Sequence, residues 1–442
     1  MGDWERGWLS REGMGVVRVG YILGILSVFA CCHFERIAWA ENGSKEGDLT
    51  TAMRQQKAPP SLSPFGPAER FLWFYRALDR EDKALYEAVY RGLYASKDEF
   101  YVTTLPKSEE KRFLQRIERI FLAVMADHPE LFWVEWFSVV YDYLSDGRIE
   151  ALLSIRYRAF QSSREEVAAA IEAVCAPILE KASQLSSDFE KERYLYAWMQ
   201  ENIVYDKAVD LRSSILGVFL NKRAACGGFA RAFQYLMMRA GIPATHITGE
   251  GDERHSWNLV EIGGSCYNVD TTTDVEQIDA LFGKGRYLPT FEYLNMTDSA
   301  YEKASRVRRD SSLGRNVVKL SPCKTRFSYE RTFGIDSLYE YYRAYVDLKP
   351  ENVIRSLEEH FRDMKRAGME SSQGKSIVFE IVLDKSLKDS IVHIDRESRR
   401  TGYLNELWQS KYSGCTNRRT SALYGITATS FLVATEEEFI CP

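Results

Sequence analysis

Residues 223–274 read RAACGGFARAFQYLMMRAGIPATHITGEGDERHSWNLVEIGGSCYNVDTTTD, and the succession of patterns in this stretch decides the fold class. Phe229, Phe233, Leu236, Met237 and Ala240 recur at the spacing of a helix with one buried face. Gly241 closes that helix and Pro243 forbids its continuation. Cys226 therefore falls at or just before a helix N-terminus, where unpaired backbone N–H groups and the positive end of the dipole favour a thiolate. Gly227 and Gly228 carry no side chains, so close approach of a substrate backbone to the sulfur is expected. His255 to Ile262 reads as a strand, Gly263-Gly264 as a two-residue turn, and Ser265 to Asp270 as the return strand.

With Gly263-Gly264 as the turn, Asp270 faces Trp257. His255 lies two residues from Trp257, so it shares that face and stands diagonal to Asp270, at about 7–8 Å between Cα atoms. A nucleophile on a helix end, a base on a strand and a carboxylate beside the base are the parts of a cysteine acyl-transfer site. Each residue alone has a plainer reading. Cysteine is among the most buried residue types, a lone histidine is usually a satisfied packing residue, and an aspartate ending a strand is a common turn former. The combination, with the Gly-Gly helix start and the shared face, outweighs those readings.

The same stretch resembles the transglutaminase-like superfamily. The resemblance rests on Cys226-Gly-Gly-Phe-Ala-Arg-Ala-Phe, Gly241-Ile-Pro, His255-Ser-Trp-Asn and Tyr267-Asn-Val-Asp270, and is strongest over residues 190–275. It implies Cys226 as nucleophile, His255 as general base and Asp270 as its orienting partner. It also implies a papain-like core with the Cys helix against an antiparallel sheet. Weaker similarity extends to Asp127-His-Pro-Glu-Leu-Phe-Trp133, Tyr205-Asp206 and Leu294-Asn-Met-Thr-Asp298. Where such proteins continue the aspartate strand into Thr-Trp-Asp, this chain has Thr271-Thr272-Thr273-Asp274, which bears on substrate preference more than on the three site residues.

The 442 residues suffice for two or three domains and a large core. A net charge of −5 without a basic patch or a basic–aromatic run excludes nucleic acid as the expected partner. There is no P-loop, dinucleotide fingerprint, internal repeat, C-x-x-C spacing or metal-ligand cluster, so no cofactor and no metal are expected.

Arg11 and Arg18, the apolar run Val19 to Cys32 and the A-x-A site Ala38-Trp39-Ala40 predict an export signal over residues 1–40. That run is too short for a membrane span, so the mature chain is expected to be secreted, periplasmic or at the cell surface. Lipid anchoring at Cys31 is the lesser alternative. Six cysteines remain after processing: Cys175 and Cys266 read as buried thiols, and Cys415 with Cys441 as the best-placed disulfide pair.

The expected organisation is α+β: a polar linker over 41–66, a helical region with one hairpin over 67–187, the core over 188–300 and a mixed region over 301–442. Leu85, Val89 and Leu93 space one helix and Phe113, Ile117, Ile120 and Val124 the next, with Ser108 as its N-cap. Ser145-Asp-Gly-Arg148 joins two strands, and capping boxes at Ser163–Glu166 and Ser187–Glu190 open two helices. Pro350 to Met364 reads as an amphipathic helix, Ser376–Asp384 and Ser421–Thr435 as strands that either complete the catalytic sheet or form an appendage.

Three function classes follow: acyl transfer from peptide or protein amides to an amine, hydrolysis of the same thioester as a peptidase or amidase, and an inactive binding module that keeps the cleft. Cell-envelope peptides or surface proteins are the substrates expected from export. The backbone N–H of Cys226 is the expected oxyanion donor, with Asn221 and Tyr205 as candidates for a second.

Overall fold

The computed structural model describes residues 18–21, 67–160, 163–251, 253–272, 291–305, 307–309, 320–327, 353–355, 359–360, 375–382, 416–425 and 431–440, with single positions at 362, 387 and 390–391. Helices and mostly antiparallel strands follow one another through it, as the α+β expectation requires. The chain runs through β1 (Arg18–Tyr21), α1 (Trp73–Arg76), α2 (Arg80–Tyr94), β2 (Glu99–Pro106), α3 (Glu110–Asp127), β3 (Val134–Tyr143), β4 (Arg148–Tyr157), α4 (Arg164–Ser183) and α5 (Asp188–Asn202). Next come β5 (Val204–Tyr205), α6 (Ile215–Phe219), β6 (Arg223–Ala224), α7 (Cys226–Arg239), β7 (Ala244–Glu250), β8 (His255–Ile262) and β9 (Ser265–Val269). The last elements are α8 (Asp298–Ser305), β10 (Arg308–Arg309), β11 (Val353–Ile354), β12 (Lys375–Val382), β13 (Thr416–Gly425) and β14 (Phe431–Ile440). Among the described residues no helix is long and apolar enough to cross a membrane.

Two compact units divide the chain. One comprises residues 1–188, 206–262 and 306–322, the other 189–205, 263–305 and 323–442.

In the first unit a four-stranded sheet has the order β1-β3-β4-β2. Residues 18–21, inside the stretch expected to direct export, pair antiparallel with β3 in the full chain. The expected hairpin is β3–β4: Gly147 turns it at φ +81, and the Asp146 carboxylate accepts from Arg148 N at 3.1 Å. Strand β2 corrects the expectation of helices around a single hairpin. Its Phe100, Val102 and Leu105 are buried, and a register shift between Tyr101 and Thr103 breaks the alternation that would have marked it. Ser108 does not cap α3. Pro106 stays in the β2 ladder opposite Arg148, Lys107 N bonds Gly147 O, and residues 107–109 form a 3-10 turn before α3 starts at Glu110.

Helices α2 and α3 bury the spaced residues Leu85, Val89, Leu93, Phe113, Ile117, Ile120 and Val124. Ser163 forms the expected capping box with Glu166 at the start of α4. Helix α4 holds Cys175, buried and unpaired, its thiol pushed up to about 12 chiefly by burial. The motif at Asp127 proves to be a brace. Its buried carboxylate accepts from Phe74 N (3.1 Å), Tyr75 N (2.9 Å) and Tyr86 OH (3.0 Å), so it serves the first amides of α1. His128 beside it stacks on Tyr90 with 4.0 Å between ring centroids.

In the second unit, Cys266 of β9 is bonded to Cys323, with 5.1 Å between Cα atoms, which overturns the buried-thiol reading of Cys266. A partner 57 residues away leaves no trace in local sequence. Cys415 and Cys441 lie outside the described residues. The described strands of the tail pair with one another in a four-stranded sheet, β11-β12-β14-β13, and do not join the β10-β7-β8 layer. Val353 and Ile354 belong to the tail sheet as strand β11, parallel to β12, and not to a helix from Pro350. Two adjacent β-branched residues favour that pairing, and Ile354 packs with Val382 and Ile391 in a small core.

Candidate active site

Helix α7 starts at Cys226, and the thiol is buried at 3% exposure. Ala225, the N-cap, is extended and gives no side-chain cap. Gly228 N donates to Ala225 O at 2.9 Å, and Cys226 sits at the positive end of the helix dipole, an electrostatic setting that favours a thiolate. Phe229, Phe233, Leu236 and Met237 are all buried, as their spacing predicts, and Gly241 closes the helix at φ +87.

Gly227 and Gly228 have a different role from the one expected. A Cβ on Gly228 would press into the Arg212 carbonyl oxygen and lie 2.8 Å from the Ala224 Cβ; one on Gly227 would lie 3.3 Å from Ser213. The glycines admit the chain's own residues 212–213, not a substrate. That segment is itself fixed: Arg212 O accepts from Ala225 N at 2.9 Å, and Arg212 Nη1 donates to Lys207 O at 2.9 Å. Asp206, from the Tyr-Asp pair, accepts from Ala208 N (2.7 Å) and from Arg223 (2.6 Å), and these bonds hold its carboxyl below the usual range.

The far side of α7 rests on α3. Buried Arg231 donates to Met125 O at 2.9 Å and Gln234 to Ala126 O at 2.7 Å, filling carbonyls that the last turn of α3 leaves open. Burial lowers the Arg231 guanidinium to about 10. His246 on β7 is buried near it and is pushed well below the ordinary imidazole range, first by burial and then by the Arg231 charge.

Strand order in this layer is β10-β7-β8, with β7 and β8 antiparallel and His255 opposite Gly249. The three-residue link Gly241–Pro243 turns the chain back from α7 into β7, so β8 runs in the same direction as α7. Their first residues, Cys226 and His255, thus begin at the same end of the layer. Asn258, three residues into β8, donates to Ala230 O, four residues into α7, at 2.8 Å and fixes that alignment. His255 is half-buried, and its ring lies 6.2 Å from that of Trp257, tilted by 14°, on the face expected. Just before it, Glu253 pairs with Lys207 at 2.8 Å. Asn221 is exposed after α6, and Tyr205 is half-buried in β5.

Asp270 follows β9 in the second unit and is fully buried. Gly263 and Gly264, ahead of β9, have φ of +58 and +76, as a two-residue turn of this kind demands. Oδ1 of Asp270 accepts from Thr272 N (3.0 Å) and Thr272 Oγ1 (2.7 Å), and Oδ2 from Tyr301 OH (2.8 Å). Its backbone N donates to Tyr293 O at 3.0 Å, and its carbonyl accepts from Tyr196 OH at 2.7 Å. Sequence reasoning missed Thr272 and Tyr301. An Asp-x-Thr turn was a local clue to the first; the second comes from 31 residues on. The Leu294–Asp298 motif is the scaffold for this side. Met296 exchanges backbone bonds with Asn268 (2.8 and 2.9 Å), Asn295 donates to Glu192 (2.7 Å), and Asp298 accepts from Asn268 Nδ2 (2.8 Å). No group of side chains among the described residues has the make-up of a metal site.

A family model of the transglutaminase-like superfamily matches residues 176–271. A comparison with curated proteins finds no match. Among solved structures, one described as a TGase is 15% identical with a TM-score of 0.24, the match covering 33% of this chain and 45% of that one. A putative cysteine protease from Cytophaga hutchinsonii is 13% identical with a TM-score of 0.22, covering 31% and 55%. The periplasmic domain of TgpA from Pseudomonas aeruginosa is 13% identical with a TM-score of 0.22, covering 35% and 76%. The chain spans about half the length of the first two structures. The match to the transglutaminase-like superfamily thus lies in residues 176–271, a segment within a longer chain.

Proposed function

We propose that Cys226, His255 and Asp270 act as nucleophile, general base and orienting carboxylate in acyl transfer from peptide or protein amides. The observation that carries this reading is a buried thiol opening a helix without a side-chain cap, at the same end of the layer as a half-buried histidine. His255 takes the thiol proton as the sulfur bonds to the carbonyl carbon and the carbonyl π pair moves onto oxygen. The C–N bond then breaks, the imidazolium giving its proton to the departing amine. An amine or water attacks the resulting thioester; His255 deprotonates it, and the proton returns to the released sulfur. The backbone N–H of Cys226 faces the developing oxyanion, a contribution of about 3–4 kcal/mol for one such donor. Asp270 holds the imidazole in one tautomer and stabilises its charged form.

The reaction needs no cofactor, since the thiolate itself supplies the nucleophile. The Cys266–Cys323 disulfide suits an oxidising compartment, and with the export signal expected over residues 1–40 it supports action outside the cytoplasm on envelope peptides or surface proteins.

The full chain incubated with a glutamine-bearing protein and a fluorescent primary amine separates the outcomes. Incorporated label means transfer to an amine; released ammonia or new peptide termini without label means hydrolysis. Cys226→Ala abolishes either. Activity that survives Cys226→Ala refutes the mechanism. Absence of activity, with Cys226 alkylated no faster than Cys175, transfers the fold to the binding-module class.

A further inference from the structure

The carboxylate of Asp270 is gripped from two directions. Oδ1 takes two donors from Thr272, a neighbour in sequence, and Oδ2 takes the phenol of Tyr301, midway along α8. Helix α8 is anchored at its first turn, where the Asp298 carboxylate accepts from Asn268 Nδ2 (2.8 Å) and Cys323 N (3.0 Å), while Asp298 N donates to Cys323 O (2.9 Å). Cys323 is in turn bonded to Cys266, four residues before Asp270. Tyr301 thus stands on an element locked to β9, and its ring meets Tyr293 edge-on at 6.4 Å.

We infer that Tyr301 is a positioning residue for Asp270, with Thr272 its counterpart on the other oxygen. The assignment rests on the acyl-transfer reading above, because it works through Asp270. A carboxylate offers about four acceptor sites, and donors on both oxygens fix its plane. Donors to the ionised form also favour it, which counters the burial of Asp270. The Tyr301 phenol is itself driven well above its ordinary range by burial and then by the Asp270 charge, so it remains an O–H donor at any working pH.

The full chain is treated with iodoacetamide across pH, and the rate of Cys226 alkylation is followed by mass spectrometry in wild type, Tyr301→Phe and Thr272→Val. Phenylalanine preserves the ring packing and removes one O–H; valine preserves the shape of threonine and removes the other. In wild type the thiolate limb sits below the ordinary thiol midpoint of about 8.5. With a donor removed, the carboxylate is held less firmly for the imidazole, so the thiolate limb moves upward toward the ordinary thiol value in both variants. Turnover in the amine-incorporation assay falls about tenfold in kcat, the scale of one charge-assisted bond, with KM unchanged. A depressed wild-type limb that neither variant moves, in proteins with unchanged thermal melting, overturns the Tyr301 assignment alone. A wild-type midpoint at the ordinary thiol value overturns the Cys–His–Asp reading and this assignment with it.

Discussion

The surroundings of Cys226 and those of Asp270 are built by opposite strategies. Around Cys226 most of the structure comes from contiguous chain: α7, its glycine stop, β7 and β8 follow one another, with residues 212–213 and the end of α3 added from elsewhere, and α7 is buried on nearly all sides. Around Asp270 it comes from afar, with Tyr196, Tyr293, Tyr301 and a disulfide to Cys323 converging on a single strand end. The first kind of surroundings is held mainly by packing. The second is held by a few directional bonds, each of which matters.

The largest effect that tests this contrast is on rate. Asp270→Asn keeps the size of the side chain and accepts some of the same bonds, yet favours the wrong imidazole tautomer. A fall of about 10⁴-fold in kcat with the fold intact is expected. A loss below tenfold would show that the carboxylate end of the site is structural.

Next in size is the crosslink. Cys266→Ser with Cys323→Ser opens a loop of 57 residues, which in the chain-entropy account costs about 4 kcal/mol. Urea unfolding combined with hydrogen exchange should show amides of β9 and α8 losing protection first, while those of α7 keep theirs. Uniform loss in all three elements would remove the distinction between the two regions.

On the Cys226 side the corresponding probe is steric. Gly228→Ala drives a methyl into the Arg212 carbonyl and the Ala224 side chain, and overpacking of this kind costs about 1–3 kcal/mol. Thermal melting should fall, and the Cys226 alkylation rate should fall with it as the start of α7 shifts. If instead Gly228→Ala melts normally and blocks only a bulky peptide substrate, the open-approach reading of the glycines would be restored.

The same contrast explains which features were legible in sequence. Helix α7, the β3–β4 hairpin, the Ser163 capping box and the buried Cys175 follow from neighbours within a few residues, and all four match. Strand β2 was hidden because its register shift interrupts the alternation, and β7 because Thr245 and His246 are buried polar residues inside it. Val353 and Ile354 fit a helical spacing as well as a strand, and only their partner β12 decides. Tyr301 and the Cys323 pairing carry no local pattern at all. The glycines at 227–228 were visible as unusual, but the segment that fills their space, Arg212 and Ser213, lies before α6. Sequence thus put Cys226 at the start of its helix, while the supports of Asp270 required coordinates.

The smallest expected effect concerns the floor beneath α7 and is a matter of sign. His246 is held neutral in the folded chain, far below the unfolded value of about 6.5. Below that pH the unfolded chain binds a proton that the folded chain does not, so this group makes stability fall as pH falls, by at most about 1.4 kcal/mol per unit. Asp127 is raised to about 6 chiefly by burial, against 3.8 when unfolded. Between those values the folded chain binds the extra proton, so Asp127 makes stability rise as pH falls, with the same limiting slope. From pH 6 to 4 the two contributions oppose each other, and this pair adds almost no slope to the wild-type curve. His246→Gln uncovers the Asp127 term: urea midpoints should rise relative to wild type as pH drops from 6 to 4. Asp127→Asn should do the reverse, because only the His246 term is then left. Parallel curves for the two variants would mean that these buried groups do not titrate as their surroundings dictate, and that the polar floor under Cys226 is set by Arg231 and Gln234 alone.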